Sequence, residues 1–306
     1  MLTAVKRRAW LLGSVAALVA ARPRVSGAAT PVSSVLTQLD LTLEGDPRLA
    51  KRCLVLVPTA HTEHRRVLVL LHGLGETGNE FRGIHAWGER YGLVRAYERL
   101  RKPPVVPETK LGYLTQARTG EINQELQRNP FDGLVLVCPV TPNPYHGNAT
   151  RILDRYAAWL KEVLLPGVEQ RVGLKAPYAL GLDGCSLGGY VGLEVVLRCP
   201  ELFQSFGVVQ AAIGAQQAPR YARRLAAAIA SVGPLPVHIE TSSLDPYRKA
   251  CRLLSDELLR IGVPNRFRIA KGPHDQPWLR EVGTLEMLLW HERQLSQTLP
   301  RARGAP

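Results

Sequence analysis

The chain has 306 residues, 45% hydrophobic and 21% charged, with 27 glycines and 23 prolines, a balance that supplies a buried core and excludes a disordered, collagen-like or coiled-coil polymer. Its formal net charge of +13 gives non-specific attraction to anionic surfaces. The cations do not fall in a zinc-knuckle spacing, a basic helix interleaved with aromatics or an RNA-binding signature, so nucleic acid is not an expected partner.

The opening of the chain reads as an address. Residues 1–28 carry Lys6, Arg7, Arg8, Arg22 and Arg24 and no acid, which leaves +8 for the remainder. A basic start, the apolar stretch Trp10 to Ala21 and the small-residue run Ser26-Gly27-Ala28-Ala29 describe an export signal cleaved near Ala28. Its apolar part is too short for a stable bilayer-spanning helix. Lys6-Arg7-Arg8-Ala9-Trp10-Leu11 resembles a twin-arginine signal. The expectation is a secreted or periplasmic protein whose mature domain covers 29–306; the alternative is a basic N-terminal helix on a cytoplasmic protein. In an exported chain some of Cys53, Cys138, Cys185, Cys199 and Cys251 could pair, although an odd count leaves at least one free. Several lie in apolar runs where a buried thiol packs as a small hydrophobe.

Apolar runs then alternate with helical patterns. Strands are expected at Val35–Leu43, Cys53–Val57, Val67–Leu71, Gly133–Cys138, Tyr178–Leu182, Phe206–Val209, Leu235–Ile239 and Phe267–Ala270. Most are near-continuous rather than alternating, as strands covered on both faces require. Helices are expected at Arg151–Leu165, Leu187–Arg198, Tyr221–Ser231 and Arg248–Ile261, the last stopped by Gly262 and the second closed by Pro200. The pattern describes one α/β sandwich with parallel later strands. Between Gly73 and Gly133 lie about sixty residues, more than one crossover helix needs. Leu111–Gln127 suits a further short helix, and 98–132 reads either as a lid-like insertion or as a surface excursion without contact to chemistry.

Tyr178–Leu182 leads through Asp183 into Gly184-Cys185-Ser186-Leu187-Gly188-Gly189, with a helical pattern directly behind. This is G-x-S-x-G in a strand–turn–helix setting. Gly184 and Gly188 remove side chains that would collide in so tight a turn and tolerate unusual backbone angles. Ser186 is the candidate nucleophile, and a lone hydroxyl needs a base. Of eight histidines, His274 lies in the turn-rich stretch behind the last strand. His238 sits mid-strand, His291 late in a helix, and His61, His64, His85 and His146 lack a comparable position. Asp245, on the loop after Leu235–Ile239, is the candidate to orient the base. Glu240 competes, while Asp183 and Asp275 stand too near their partners in sequence. The Leu74 and Leu187 amides are the candidate oxyanion donors. His72 reads as a ring packed under its loop. Tyr145 and Trp278 are candidate pocket aromatics.

In this order of His72-Gly73, Ser186, Asp245 and His274 the chain resembles the α/β-hydrolase superfamily. Within it, Ser186-Leu-Gly-Gly189, Cys199-Pro-Glu-Leu-Phe203 and Gly272-Pro-His-Asp with Trp278 resemble the putative-esterase group that includes esterase D. The resemblance spans about 50–292 and departs from the group at Cys185. It implies a mostly parallel eight-stranded sheet flanked by helices and a serine carboxylic-ester hydrolase. Such an enzyme needs no metal or organic cofactor and takes a small-molecule or polymer-linked ester. The rivals are an acyltransferase using the same acyl-enzyme and a catalytically silent binding module on a hydrolase scaffold.

Overall fold

A computed structural model describes residues 29–46, 51–59, 66–174 and 176–297; the expected leader lies outside them. The strands are β1 (Thr30–Pro31), β2 (Leu36–Thr42), β3 (Arg52–Pro58), β4 (Arg66–Leu71), β5 (Val135–Pro139), β6 (Ala179–Gly184), β7 (Ser205–Val209), β8 (Val237–Ser242) and β9 (Asn265–Ala270). All eight expected strands are present, with ends moved by at most three residues. The two-residue β1 adds a ninth at the edge, pairing antiparallel with β2.

The sheet runs β1-β2-β3-β5-β4-β6-β7-β8-β9. β3 is antiparallel to both β2 and β5, and from β5 to β9 every pairing is parallel. After β4 the chain builds β5 on one side and β6 on the other. The order therefore reverses at β4, and the loops leaving β4 and β6 diverge to open a crevice at their C-terminal ends. His72 follows β4 and Ser186 follows β6, so the topology delivers both to that crevice.

The helices are α1 (Glu80–His85), α2 (Leu93–Arg101), α3 (Gln116–Arg128), α4 (Ala149–Trp159), α5 (Leu165–Val172), α6 (Leu187–Val196), α7 (Ala218–Val232), α8 (Arg248–Arg260), the single turn α9 (Gln276–Trp278) and α10 (Thr284–Gln297). Successive β6 residues face opposite layers, as a pleated strand requires. Leu182 meets α6 at Gly192, whereas Gly181 and Asp183 lie against His291 of α10. Both faces being covered explains why the central strands read as unbroken apolar runs. The expected helix Arg151–Leu165 does not stop at Pro166. A widened turn at Leu160–Leu164 joins α4 to α5, and Pro166 falls in the first turn of α5, where its missing N–H costs nothing. All five cysteines are buried free thiols, so none of the pairings considered from sequence forms.

The long segment after β4 is packed. Leu100, Val105, Leu114, Ile122, Leu126 and Phe131 are buried. Arg118 of α3 makes a two-pronged ion pair with Glu286 of α10 at 2.6 and 2.8 Å, and the Glu108 amide donates to Glu281 at 2.9 Å. His72 is wholly buried below Gly83 of α1. Its Nε2 accepts from the Thr141 amide at 2.8 Å, so Nδ1 carries the proton and donates to the Gly73 carbonyl at 2.9 Å. The ring ties the end of β4 to the segment after β5.

Two stability tests follow from these contacts. Arg118→Ala leaves Glu286 buried with Arg268 still facing it at 3.1 Å. Arg266 also stays 3.6 Å away, so the expected loss in chemical denaturation at neutral pH is about 2 kcal/mol, as for hydrogen bonds to a charged group and below the range for a buried charge left unpaired, with proteolysis entering 102–130 first; an unchanged midpoint would count against this anchor. Burial lowers the His72 pKa from its ordinary 6.5 to about 4. Between those values the unfolded chain binds a proton that the folded chain refuses, so this residue makes stability fall as pH drops from about 6.5 towards 4 and adds no further fall below. His72 contributes about 3 kcal/mol of that fall, read as a flatter pH dependence in His72→Gln than in wild type.

Candidate active site

The loops after β4, β6, β8 and β9 meet at one edge of the sheet. Ser186 occupies the turn between β6 and α6 with φ 54° and ψ −117°, a left-handed backbone that L-residues rarely adopt. The unusual angles expected at the glycines fall on the serine itself, and neither Gly184 nor Gly188 has a positive φ. The glycines are needed for space: a Cβ on Gly184 would stand 2.3 Å from the Gly188 carbonyl oxygen, and one on Gly188 would stand 2.1 Å from that of Leu71. Backbone bonds fix the turn on three sides. The Cys185 amide donates to Leu71 at 3.1 Å, that of Ser186 to Val209 at 3.0 Å, and that of Ala212 to the Ser186 carbonyl at 2.9 Å.

The Ser186 hydroxyl lies 3.1 Å from His274 Nε2, and His274 Nδ1 lies 2.8 Å from Asp245 Oδ1. A carboxylate only accepts, so Nδ1 is the protonated nitrogen and Nε2 is the acceptor facing Ser186. The Asp245 side chain is fully buried while that of His274 is 26% exposed. Asp245 Oδ1 also accepts from the Tyr247 amide at 2.9 Å, and Oδ2 accepts from the Thr241 hydroxyl. The Tyr247 ring stands edge-on to the imidazole with centroids 5.6 Å apart. Thr241 and Tyr247 escaped the sequence reading; a hydroxyl four residues before the acid was the signal available.

Leu74 and Leu187 each open a helical turn, where first N–H groups have no partner within the turn. Among the described residues neither amide has another protein acceptor. The Gly73 amide is engaged by the Tyr91 hydroxyl at 3.2 Å, and a Cβ on Gly73 would lie 3.6 Å from that of Ser186. The Leu74 turn therefore borders the serine. Burial pushes the Cys185 thiol well up, so it stays a neutral neighbour.

The competing side chains lie away from Ser186. Glu240 and His238 are wholly buried, their nearest approach 3.9 Å. Asp275 caps α9 by accepting from the Trp278 amide at 2.9 Å. Asp183, His291 and Ser205 form a second Asp–His–Ser chain, with His291 2.9 Å from Asp183 and 2.8 Å from Ser205. All three are sealed in the core. Trp278 is also core rather than pocket lining, packed under Gly272. Tyr145 is 66% exposed and stacks on Tyr190 with centroids 6.4 Å apart.

Beyond the Leu74 turn lies a cavity of about 640 Å³ lined by Thr77, Asn79, Glu80, Thr141, Asn143 and Arg151 among others. Two of these residues carry a sealed polar atom, Glu80 Oε1 and the Thr141 hydroxyl, without a hydrogen-bond partner among the described residues. An apolar cavity of about 650 Å³, with Leu235, Val237 and Trp290 in its wall, lies at the opposite end of the strands.

No protein-family model matches the sequence, and no curated protein matches it. Solved structures do. A feruloyl esterase module from Clostridium thermocellum complexed with sinapinate aligns with TM-score 0.60 and 15% identity over 93% of this chain and 99% of that one. A ferulic acid esterase gives 0.58 and 16% over 90% and 99%. An S-formylglutathione hydrolase from Agrobacterium tumefaciens gives 0.56 and 16% over 88% and 98%. At such identity the likeness is one of architecture, and it agrees with the sheet order and the serine turn: the chain has the α/β-hydrolase fold.

Proposed function

We propose that the protein is a serine carboxylic-ester hydrolase of the esterase D-like group, acting through an acyl-enzyme. The observation that carries this reading is the continuous chain from Ser186 through His274 to buried Asp245, at 3.1 and 2.8 Å. As Ser186 Oγ bonds to the acyl carbon, His274 Nε2 takes its proton. Asp245 keeps the ring in the required tautomer and stabilises the imidazolium. The carbonyl oxygen gains negative charge facing the Leu74 and Leu187 amides, and the start of α6 adds partial positive charge there. When the tetrahedral species collapses, the alkoxide leaves with the proton from His274. A water then gives its proton to the same nitrogen as it attacks the acyl-enzyme carbonyl, and the second tetrahedral species collapses with that proton passing from His274 to Ser186 Oγ, which releases the acid and restores both residues.

The cavity beside the Leu74 turn supports an ester with a polar portion, because Thr77, Asn79, Asn143 and Arg151 are among the residues that line it. The basic leader supports export, by the twin-arginine route, to a secreted or periplasmic location.

A series of nitrophenyl esters from acetate to decanoate tests the reading. Wild type is expected to turn over at least one member. Ser186→Ala and His274→Ala each lower kcat by about four orders of magnitude or more, and Asp245→Asn by about four, with thermal midpoints near wild type. Full activity in Ser186→Ala, or no turnover by folded wild type, would reject it.

A further inference from the structure

Gln210, directly after β7, has φ 51° and, with Ser186, is one of two non-glycine residues in the left-handed region among the described residues. It is 1% exposed. A long side chain keeps such a backbone only where its surroundings over-determine it, and these places cluster at functional sites. The surroundings of Gln210 do so from two directions. Its chain neighbours grip the nucleophile turn, since Val209 accepts from the Ser186 amide at 3.0 Å and Ala212 donates to the Ser186 carbonyl at 2.9 Å, while the Gln210 amide donates to Glu240 at 2.7 Å. Its side chain crosses to the neighbouring loops: Nε2 donates to Ser242 Oγ at 2.7 Å and to the Pro273 carbonyl at 3.0 Å. Ser242 Oγ donates to the same carbonyl at 2.9 Å.

Pro273 immediately precedes His274. The loop that carries them leaves β9, the last strand of the sheet, where no further strand holds it. The peptide plane between Pro273 and His274 sets the direction in which the imidazole leaves the backbone, and two donors converge on its oxygen. We propose that Gln210 is the positioning residue for His274, fixing the base loop to the serine turn so that Nε2 stays within reach of Ser186 Oγ. This rests on the reading of Ser186 as nucleophile and His274 as base. An amide suits the task because one nitrogen supplies both donors; an ionised carboxylate in its place would face the Pro273 oxygen with like charge. The left-handed backbone is what turns the side chain away from its own strand end towards the next two loops.

The test is Gln210→Gly, which suits the left-handed backbone and removes the whole side chain, the amide that bonds Ser242 and Pro273 included. The variant is expected to fold with a lowered thermal midpoint, because relief of the left-handed backbone only partly offsets the lost buried side chain and its bonds, while kcat on a nitrophenyl ester falls about 10- to 100-fold and KM stays within about twofold. Ser242→Ala, which deletes the other donor, lowers kcat as well, and the double variant loses less than the product of the two because both act on one carbonyl. In a His274→Ala background Gln210→Gly leaves the residual rate unchanged, since the amide acts through the imidazole; a merely structural role would lower it further. Active wild type with an unimpaired Gln210→Gly variant, or an equal loss in the His274→Ala background, overturns the inference alone. Wild type inert towards esters removes the reading beneath it and the inference together.

Discussion

The geometry of the whole site depends on how closely the polypeptide can pass itself between β6 and α6. The Gly188 α-carbon comes so near the Leu71 carbonyl that no side chain fits, and the same holds for Gly184 against Gly188. That approach lets the strand reverse into a helix within two residues and leaves Ser186 at φ 54°. A non-glycine residue there costs about 1–3 kcal/mol, which the bonds to Leu71, Val209 and Ala212 offset. The first amides of α6 are consequently fixed beside the serine before any substrate arrives.

Two Ser–His–Asp chains in one domain show that the combination of groups does not define a site. Ser205, His291 and Asp183 match the hydrogen-bond distances of the exposed set, yet they are sealed between β6, β7 and α10. Burial there pushes the Asp183 carboxyl up, against the pull of His291, and the chain serves to satisfy polar groups within the core. Ser186 and His274 differ by their place at the C-terminal strand ends, where the reversal of sheet order opens a crevice. Position in the topology, more than chemistry, separates the two.

Much of this was legible in the sequence because it is local. Val67–Leu71, Tyr178–Leu182 and their neighbours are apolar on both sides, and Gly-Cys-Ser-Leu-Gly behind a strand carries its own geometry. Ser186, Asp245 and His274 follow β6, β8 and β9, and those places after strand-like runs are what mark them in the sequence. What depended on distant partners was hidden. β1 is only Thr30–Pro31 and owes its existence to β2. The helix expected to end at Leu165 runs on through Pro166, and the wide turn before it has no sequence mark. Trp278 looked like a pocket aromatic but fills the space beneath Gly272. Gln210, Ser242 and Thr241 are ordinary polar residues until the fold brings three loops together. The leader falls outside the described residues, and its reading stands on sequence alone.

The claim at the centre is that Ser186 is a nucleophile activated by His274, and covalent capture tests it most directly. Folded protein treated with an alkyl fluorophosphonate and weighed intact should gain one adduct, mapped by peptide sequencing to Ser186. The adduct should be absent in Ser186→Ala and form far more slowly in His274→Ala. Folded wild type that gains no mass, or an adduct on another residue that survives in Ser186→Ala, would contradict the account.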